Sequence, residues 1–324
     1  MLISVVLIGF LAYQADFGTL WSALRNAKPG FVLLAVCALL STQVFRAWRW
    51  QHLLYSIQHV PLGTLTSATI IGSMTDMILP ARGGDVVRAC VVGRREGISR
   101  MSALATIVVE RLFDVLTILT MAIPILLLVA FPKEMDTVLS GLRIAVGLGT
   151  LLCLIAAGSI LMLVLGGERV RRVVDWILGR VPARFRARSS DWIDSFLSGL
   201  QTVRTGHRFL VLFAQSLILW LAFAASNYFI LQSFGLQLPW YASFLLLVFQ
   251  VLGVTIPSSP GFIGTYHAAV VAALALFGIP GDLAITVGIT MHAAFFIPYI
   301  VAGLLCLWKE DLSFSGLREL GNRS

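Results

Sequence analysis

The chain has 324 residues, of which 58% are hydrophobic and only 12% charged, with a mean hydropathy of +0.90. Soluble domains carry about a quarter charged residues, so a soluble protein built around one large core is excluded in favour of a chain that has lipid as its solvent. The formal charge of +8 does not point to nucleic acid, because the arginines gather at the ends of apolar runs, where membrane proteins use them to fix orientation.

Taken in chain order, the apolar runs predict an all-α integral membrane protein. About six transmembrane helices are expected near 2–15, 30–48, 103–131, 142–165, 208–232 and 284–308. The first run has no basic leader and no small-residue cleavage site, so it reads as a retained helix rather than a signal peptide. Two further segments, 62–100 and 239–281, are apolar but interrupted by proline and glycine; both read as re-entrant or broken helical hairpins. A single membrane domain over 1–310 is expected, with a tail at 311–324 and inverted repeats of roughly 30–131 and 208–308. Four scattered cysteines (Cys37, Cys90, Cys153, Cys306) have no metal-ligand spacing and read as small core residues. No cofactor or metal is expected.

Orientation follows from the basic residues. Between Glu168 and Arg208 nine arginines face four acids, Arg46 and Arg49 close the second span, and 82–100 holds five more arginines, while 132–141 and 232–240 share one lysine. Both chain ends and the connections 46–61, 82–102 and 166–207 are therefore expected in the cytoplasm. The spans alternate without conflict if 62–100 dips in from the cytoplasm and 239–281 from outside. Two broken segments entering from opposite faces mark an inverted-repeat transporter. A faint echo supports this: Ile78 to Gly84 resembles Thr255 to Gly261, and Gly-Ile follows each break at 97–98 and 278–279. The insert 166–207 alternates Val170, Val173, Val174, Trp176 and Ile177 with arginines. That pattern suits a basic amphipathic helix pair at anionic headgroups, or equally a solvated loop on the helix ends.

Three places could carry chemistry. Glu110, Arg111 and Asp114 lie about 12–18 Å along the third span at 1.5 Å per residue, where each charge costs on the order of 2.5–3.5 kcal/mol. They line a polar path, or pair as a buried ionic clamp; the spacing lets Arg111 reach Asp114. In Pro80-Ala81-Arg82-Gly83-Gly84-Asp85-Val86-Val87-Arg88 the proline ends a helix and the glycines allow a reversal. Asp85 stands in the first turn of the next helix, whose free N–H groups together with Arg82 and Arg88 would suit a phosphate; the alternative is a capped turn with anchoring arginines. In Pro257-Ser258-Ser259-Pro260-Gly261-Phe262-Ile263-Gly264-Thr265-Tyr266-His267 the helix breaks at membrane depth, which is tolerated only inside protein or beside a wet cavity. His267 and His292 each read as a lone, satisfied histidine. Asp76 is expected to pair with an arginine of its own dip. No HExxH, DxD or GxxxxGK[ST] pattern is present.

These motifs carry a resemblance. Pro80 through Arg88 is similar to the Pro-x-Arg-x-Gly-(Asp/Glu)-x-x-Arg pattern of the lysylphosphatidylglycerol synthase family. Glu110-Arg111-x-x-Asp114 resembles its Glu-Arg-x-x-Asp, and Pro257 through Gly264 its Pro-x-x-Pro-Gly-x-x-Gly. The resemblance runs from about residue 2 to 310. It implies a flippase-like membrane region that moves lipid between leaflets, with aminoacyl-phosphatidylglycerol as cargo in the two-domain members. The chain stops at Ser324, leaving no room for their aminoacyl-transferase domain, so a transporter rather than an enzyme is expected, and hopanoid or lipid-linked sugar cargo stays open. The expected setting is a bacterial inner membrane. Expected partners are anionic phospholipids, with a separate cytoplasmic synthase or glycosyltransferase or a second copy of the chain left open. A lipid-phosphate transferase using Asp85, Glu110 or Asp114 as base is the rival reading.

Overall fold

A computed structural model describes residues 25–78, 83–129, 136–165, 206–256 and 260–310, with positions 22, 172, 176 and 180 besides. The predicted first span, nearly all of the basic insert, the tail and Leu79 to Arg82 and Pro257 to Ser259 lie outside the described residues.

Among the described residues the regular structure is entirely helical, as the composition requires. The helices are α1 (Pro29–Leu54), α2 (Leu62–Ile78), α3 (Gly84–Glu96), α4 (Arg100–Leu128), α5 (Asp136–Leu165), α6 (Gly206–Ser233), α7 (Ala242–Thr255), α8 (Thr265–Ala275) and α9 (Gly281–Lys309), with a 3-10 turn at Pro260–Phe262 before α8. Five of these, α1, α4, α5, α6 and α9, contain stretches long and apolar enough to cross a membrane. The short helices pair as α2–α3 and α7–α8, giving the two broken hairpins that the sequence predicts.

The four helices α1–α4 repeat as α6–α9 in one constant register. Helices α4 and α9 are both 29 residues long; their first residues are 181 apart (281 − 100) and so are their last (309 − 128). The left-handed glycines after α3 and within the α8–α9 connection, Gly97 (φ 73°) and Gly278 (φ 70°), keep the same spacing. So do the hairpin crossings. A Cβ on Gly72 would stand 2.8 Å from the Gly84 carbonyl oxygen and 3.3 Å from the Arg88 Cβ. One on Gly253 would stand 2.8 Å from the Thr265 carbonyl oxygen and 2.7 Å from the Ala269 Cβ. A bare glycine lets the two arms of each hairpin touch, and any larger residue would part them.

Helix contacts follow the same correspondence. Contacts α1–α2, α3–α4, α2–α9, α1–α9 and α1–α4 have the counterparts α6–α7, α8–α9, α7–α4, α6–α4 and α6–α9. The equivalent helices α1 and α6 run antiparallel: Lys28 N–H donates to the Ser233 carbonyl at 2.9 Å, and Arg49 donates to Ser216 Oγ at 2.6 Å. The halves are therefore inverted relative to each other. Helix α5 packs chiefly on α4 and exposes Leu151, Leu152, Leu154 and Ile155, which suits a helix bathed in acyl chains.

Two expectations change. The echo of Pro80 with Pro257 is spaced by 177 and lies one turn out of the spatial register. Helix α2 continues six residues past its crossing glycine and α7 only two, so the prolines mark unequal helix ends, and Gly83 and Gly84 correspond to Gly264 and Thr265. Second, Arg46 and Arg49 do not sit in a connection. Helix α1 continues to Leu54, and Arg49 is wholly buried. Its partners lie inside the protein, so these two arginines cannot be counted as cytoplasmic anchors.

Candidate functional site

Three acids and four arginines of α1, α3 and α4 form one network. Glu110 on α4, wholly buried, holds Arg88 NH2 at 2.6 Å and lies 3.2 Å from Arg49 NH2 and 3.9 Å from Arg46 Nε. Asp114, one turn on, takes Arg49 NH1 at 2.8 Å, Arg111 NH1 at 3.2 Å and the Trp220 indole N–H at 3.1 Å. Arg111 reaches across to α3, with Nε and NH2 on the two Asp85 oxygens at 3.0 and 2.6 Å. Arg88 also packs its guanidinium over Trp50, 4.5 Å from the ring centre. With Asp76 included, four arginines meet four carboxylates. A bare charge at this depth is expensive, and removing one partner of a buried pair leaves the other uncompensated. The balance explains how so many charges persist in an apolar bundle.

Two members have spare capacity. Arg46 has only the 3.9 Å approach to Glu110, and its buried Nε makes no hydrogen bond among the described residues. Among the described residues Asp76 has no arginine within 4 Å; Arg82 of its own dip lies outside them. Asp76 Oδ1 accepts the Gly84 N–H at 2.8 Å, closing the first hairpin. That bond occupies the helix start that the sequence suggested for a phosphate, and Arg88 turns inward to Glu110 instead of outward.

Both groups face a cavity of about 360 Å³ between the two halves. Its lining repeats the internal symmetry. Arg46 on α1 answers to Asn227 on α6, Asp85 on α3 to Tyr266 on α8, and Asp114 and Ile118 on α4 to Phe295 and Tyr299 on α9; each pair is 181 residues apart. Residues flanking both breaks meet here: Asp76 and Met77 in the last turn of α2, and Val254, Thr255 and Phe262 on either side of the second break, whose 3-10 turn packs on α2. All the charged lining residues belong to the first half. The second half contributes Gln250, which exchanges two amide hydrogen bonds with Asn227 (2.9 and 3.1 Å) and donates to the Tyr266 hydroxyl at 3.0 Å.

The second break is held from behind the cavity. His292 Nε2 lies 2.7 Å from the Gly261 carbonyl oxygen, so that nitrogen is the N–H donor, and Gly264 N–H points at His267 Nδ1 at 3.4 Å. The two imidazoles are not lone: their ring centres are 4.9 Å apart and both border Tyr266. Gly261 and Gly264 take positive φ, as does Phe262 (φ 58°), a conformation that costs a bulky residue on the order of 1–2 kcal/mol and turns the chain back from α7 into α8.

Of the predicted site residues, Asp85, Arg111, Asp114 and Tyr266 reach the cavity. Gly83, Gly84, Arg88, Glu110, Pro260, Gly261, Gly264, His267 and His292 stand behind it, while Arg82, Pro257, Ser258 and Ser259 lie outside the described residues. Sequence reasoning missed Arg46 and Arg49. Their signal was an i,i+3 pair inside a run that stays apolar through Trp50, Leu53 and Leu54, which places them within a helix rather than after one.

The family described as the lysylphosphatidylglycerol synthase TM region matches residues 1–303 of this chain. The glycosyltransferase AglD of Haloferax volcanii is 27% identical over 340 residues, covering 97% of this chain and 54% of the relative. The chain thus spans about half the length of that curated relative. The molecule is a multi-pass membrane domain related to proteins of lipid and glycosyl transfer.

Proposed function

The chain belongs to the family of the lysylphosphatidylglycerol synthase TM region, and on that premise we propose that it moves a phosphate-bearing lipid between the leaflets of a bacterial inner membrane. The observation that carries this reading is the cavity itself. It lies where two hairpins of opposite entry meet, holds a headgroup-sized volume, and presents charge on one wall and an uncharged, largely apolar and aromatic surface on the other. Arg46, whose Nε lacks a hydrogen bond among the described residues, supplies the cation for the phosphate, with Arg111 beside it, at about 1.5–3 kcal/mol for a charge-assisted bond. Asp76, which has no arginine within 4 Å among the described residues, accepts a hydroxyl or ammonium of the same headgroup. Glu110, Arg49 and Arg88 hold the wall in place. The polar head crosses through the cavity while the acyl chains trail toward the hydrocarbon.

In this reading the chain is a transporter, both termini are cytoplasmic, and the insert 166–207 rests on anionic headgroups. Purified protein in phosphatidylethanolamine–phosphatidylglycerol vesicles should speed the exchange of fluorescent phosphatidylglycerol, an aminoacyl derivative or a polyprenyl phosphate between leaflets by at least tenfold over protein-free vesicles. No acceleration of any of the three overturns the proposal.

The likeness to a named glycosyltransferase favours one second reading, in which the chain is the membrane part of a lipid-modifying synthase or glycosyltransferase and a separate catalytic subunit docks on its basic insert. Co-purification that depends on 166–207, without lipid movement, would select it. Turnover of a lipid phosphate with a sugar or aminoacyl donor by the chain alone would select a transferase instead.

A further inference from the structure

A lipid needs a way in for its acyl chains as well as a seat for its headgroup. The cavity lies between two seams that the internal repeat makes equivalent, α4–α7 on one side and α2–α9 on the other. Their present states differ. In the α2–α9 seam the helices pack along much of their length, and Met74, wholly buried, lies on Gly303 so closely that a Cβ there would stand 2.5 Å from the Met74 Cβ. The equivalent positions in the other seam, 181 residues away, are Thr255 and Ala122. Thr255 is exposed, lines the cavity and turns its hydroxyl back onto its own helix, to the Val251 carbonyl at 2.7 Å. Helices α4 and α7 touch at fewer positions. Val115 and Ile118 from α4 and Val251 and Val254 from α7 line the cavity, with Val115 38% exposed.

We propose that the two seams are alternate lateral passages for the acyl chains, the α4–α7 seam loosened and the α2–α9 seam shut in the present state, and that they exchange these states during lipid movement. The inference rests on the transport reading and gives it a hydrocarbon-binding subsite and a second conformation. In the present state an acyl chain lies along Val115, Ile118, Val251 and Val254. In the exchanged state Thr255 closes on Ala122, a small residue at the place of Gly303, while Met74 leaves Gly303. Two halves with one backbone register can trade conformations at small cost, because each arrangement is already realised once in the molecule. Because the halves are inverted, the exchanged state presents the headgroup cavity to the opposite leaflet.

The test uses two cysteine pairs in the full chain, with Cys37, Cys90, Cys153 and Cys306 replaced by alanine. One carries Met74→Cys with Gly303→Cys, the other Ala122→Cys with Thr255→Cys. Disulfides need Cβ atoms about 3.5–4.5 Å apart, so α2 and α9 must part by about 1 Å for the first pair. Each pair should oxidise in phosphatidylethanolamine–phosphatidylglycerol vesicles, each disulfide should slow exchange of fluorescent phosphatidylglycerol at least tenfold, and reduction should restore it. A chain carrying both pairs should form either disulfide but not both. Gly303→Leu, which wedges the shut seam, should raise the yield of the Ala122–Thr255 disulfide several-fold. A folded chain in which both disulfides coexist, in which Ala122–Thr255 never forms, or in which the Met74–Gly303 disulfide leaves exchange unaffected overturns the proposal. Disulfide exclusivity is read without any transport, so a wild-type chain that moves no lipid overturns the transport reading alone.

Discussion

The two halves share a backbone and differ in chemistry. At equivalent positions the first half places Arg46, Asp85, Arg88, Glu110, Arg111 and Asp114, and the second places Asn227, Tyr266, Ala269, Met291, His292 and Phe295. Every charge of the cavity wall falls on one side. The length shared by α4 and α9, the crossing glycines and the left-handed turns persist in both halves because hairpin geometry needs them, whatever the site binds. The charges are free to diverge because they need only one another. Concentrating them lets each guanidinium find a carboxylate nearby, whereas a copy of the set in the second half would bury as many charges again. One half carries the charge and the other supplies uncharged surface.

Glu110→Met, which installs the residue of the second half, should show the largest effect. It removes the 2.6 Å carboxylate of the buried Arg88 and one of the two carboxylates of the buried Arg49 and should cost about 3–5 kcal/mol, read as a fall in thermal stability of the purified protein in detergent. Met291→Leu at the equivalent position should cost less than about 1.5 kcal/mol. Equal losses at the two positions would break the comparison. Arg46→Asn, again an exchange for the counterpart, removes a charge-assisted bond of about 1.5–3 kcal/mol. It should weaken binding of fluorescent phosphatidylglycerol by about 10- to 100-fold with the fold intact, while Asn227→Ala should weaken it less.

Gly84→Ala sharpens the backbone side of the comparison. Its Cβ would meet the Gly72 carbonyl oxygen at 2.2 Å and the Asp76 carboxyl at 2.6 Å, so a loss of about 1–3 kcal/mol is expected. Gly83→Ala, with open space around it and an ordinary φ of −78°, should change stability by less than about 0.5 kcal/mol. His292→Phe deletes the hydrogen bond to Gly261 at about 1 kcal/mol. Faster hydrogen exchange of amides 261–264, with the first hairpin unchanged, is the expected reading.

Much of the fold was legible in the sequence. Apolar runs, proline–glycine interruptions and the charges of α4 led to the spans, the two hairpins and the residues Glu110, Arg111 and Asp114. Arg46 and Arg49 were misplaced because a basic residue near the end of an apolar run looks the same whether it meets headgroups or a buried acid. The bond from the Gly84 N–H to Asp76 was hidden, because sequence does not show which backbone donor lies nearest a carboxylate. His267 and His292 looked solitary because 25 residues and a turn separate them.

Composition and periodicity by themselves determined that this chain is a helical membrane protein with two broken hairpins, since a bilayer permits only internally satisfied backbone across its apolar core. Tertiary structure decided the rest: which arginine meets which carboxylate, that the repeat register follows the crossing glycines and not the prolines, and that one seam is tight and its counterpart loose. Those are facts of distance between segments far apart in the chain, where pairing energy depends on geometry that no local pattern encodes.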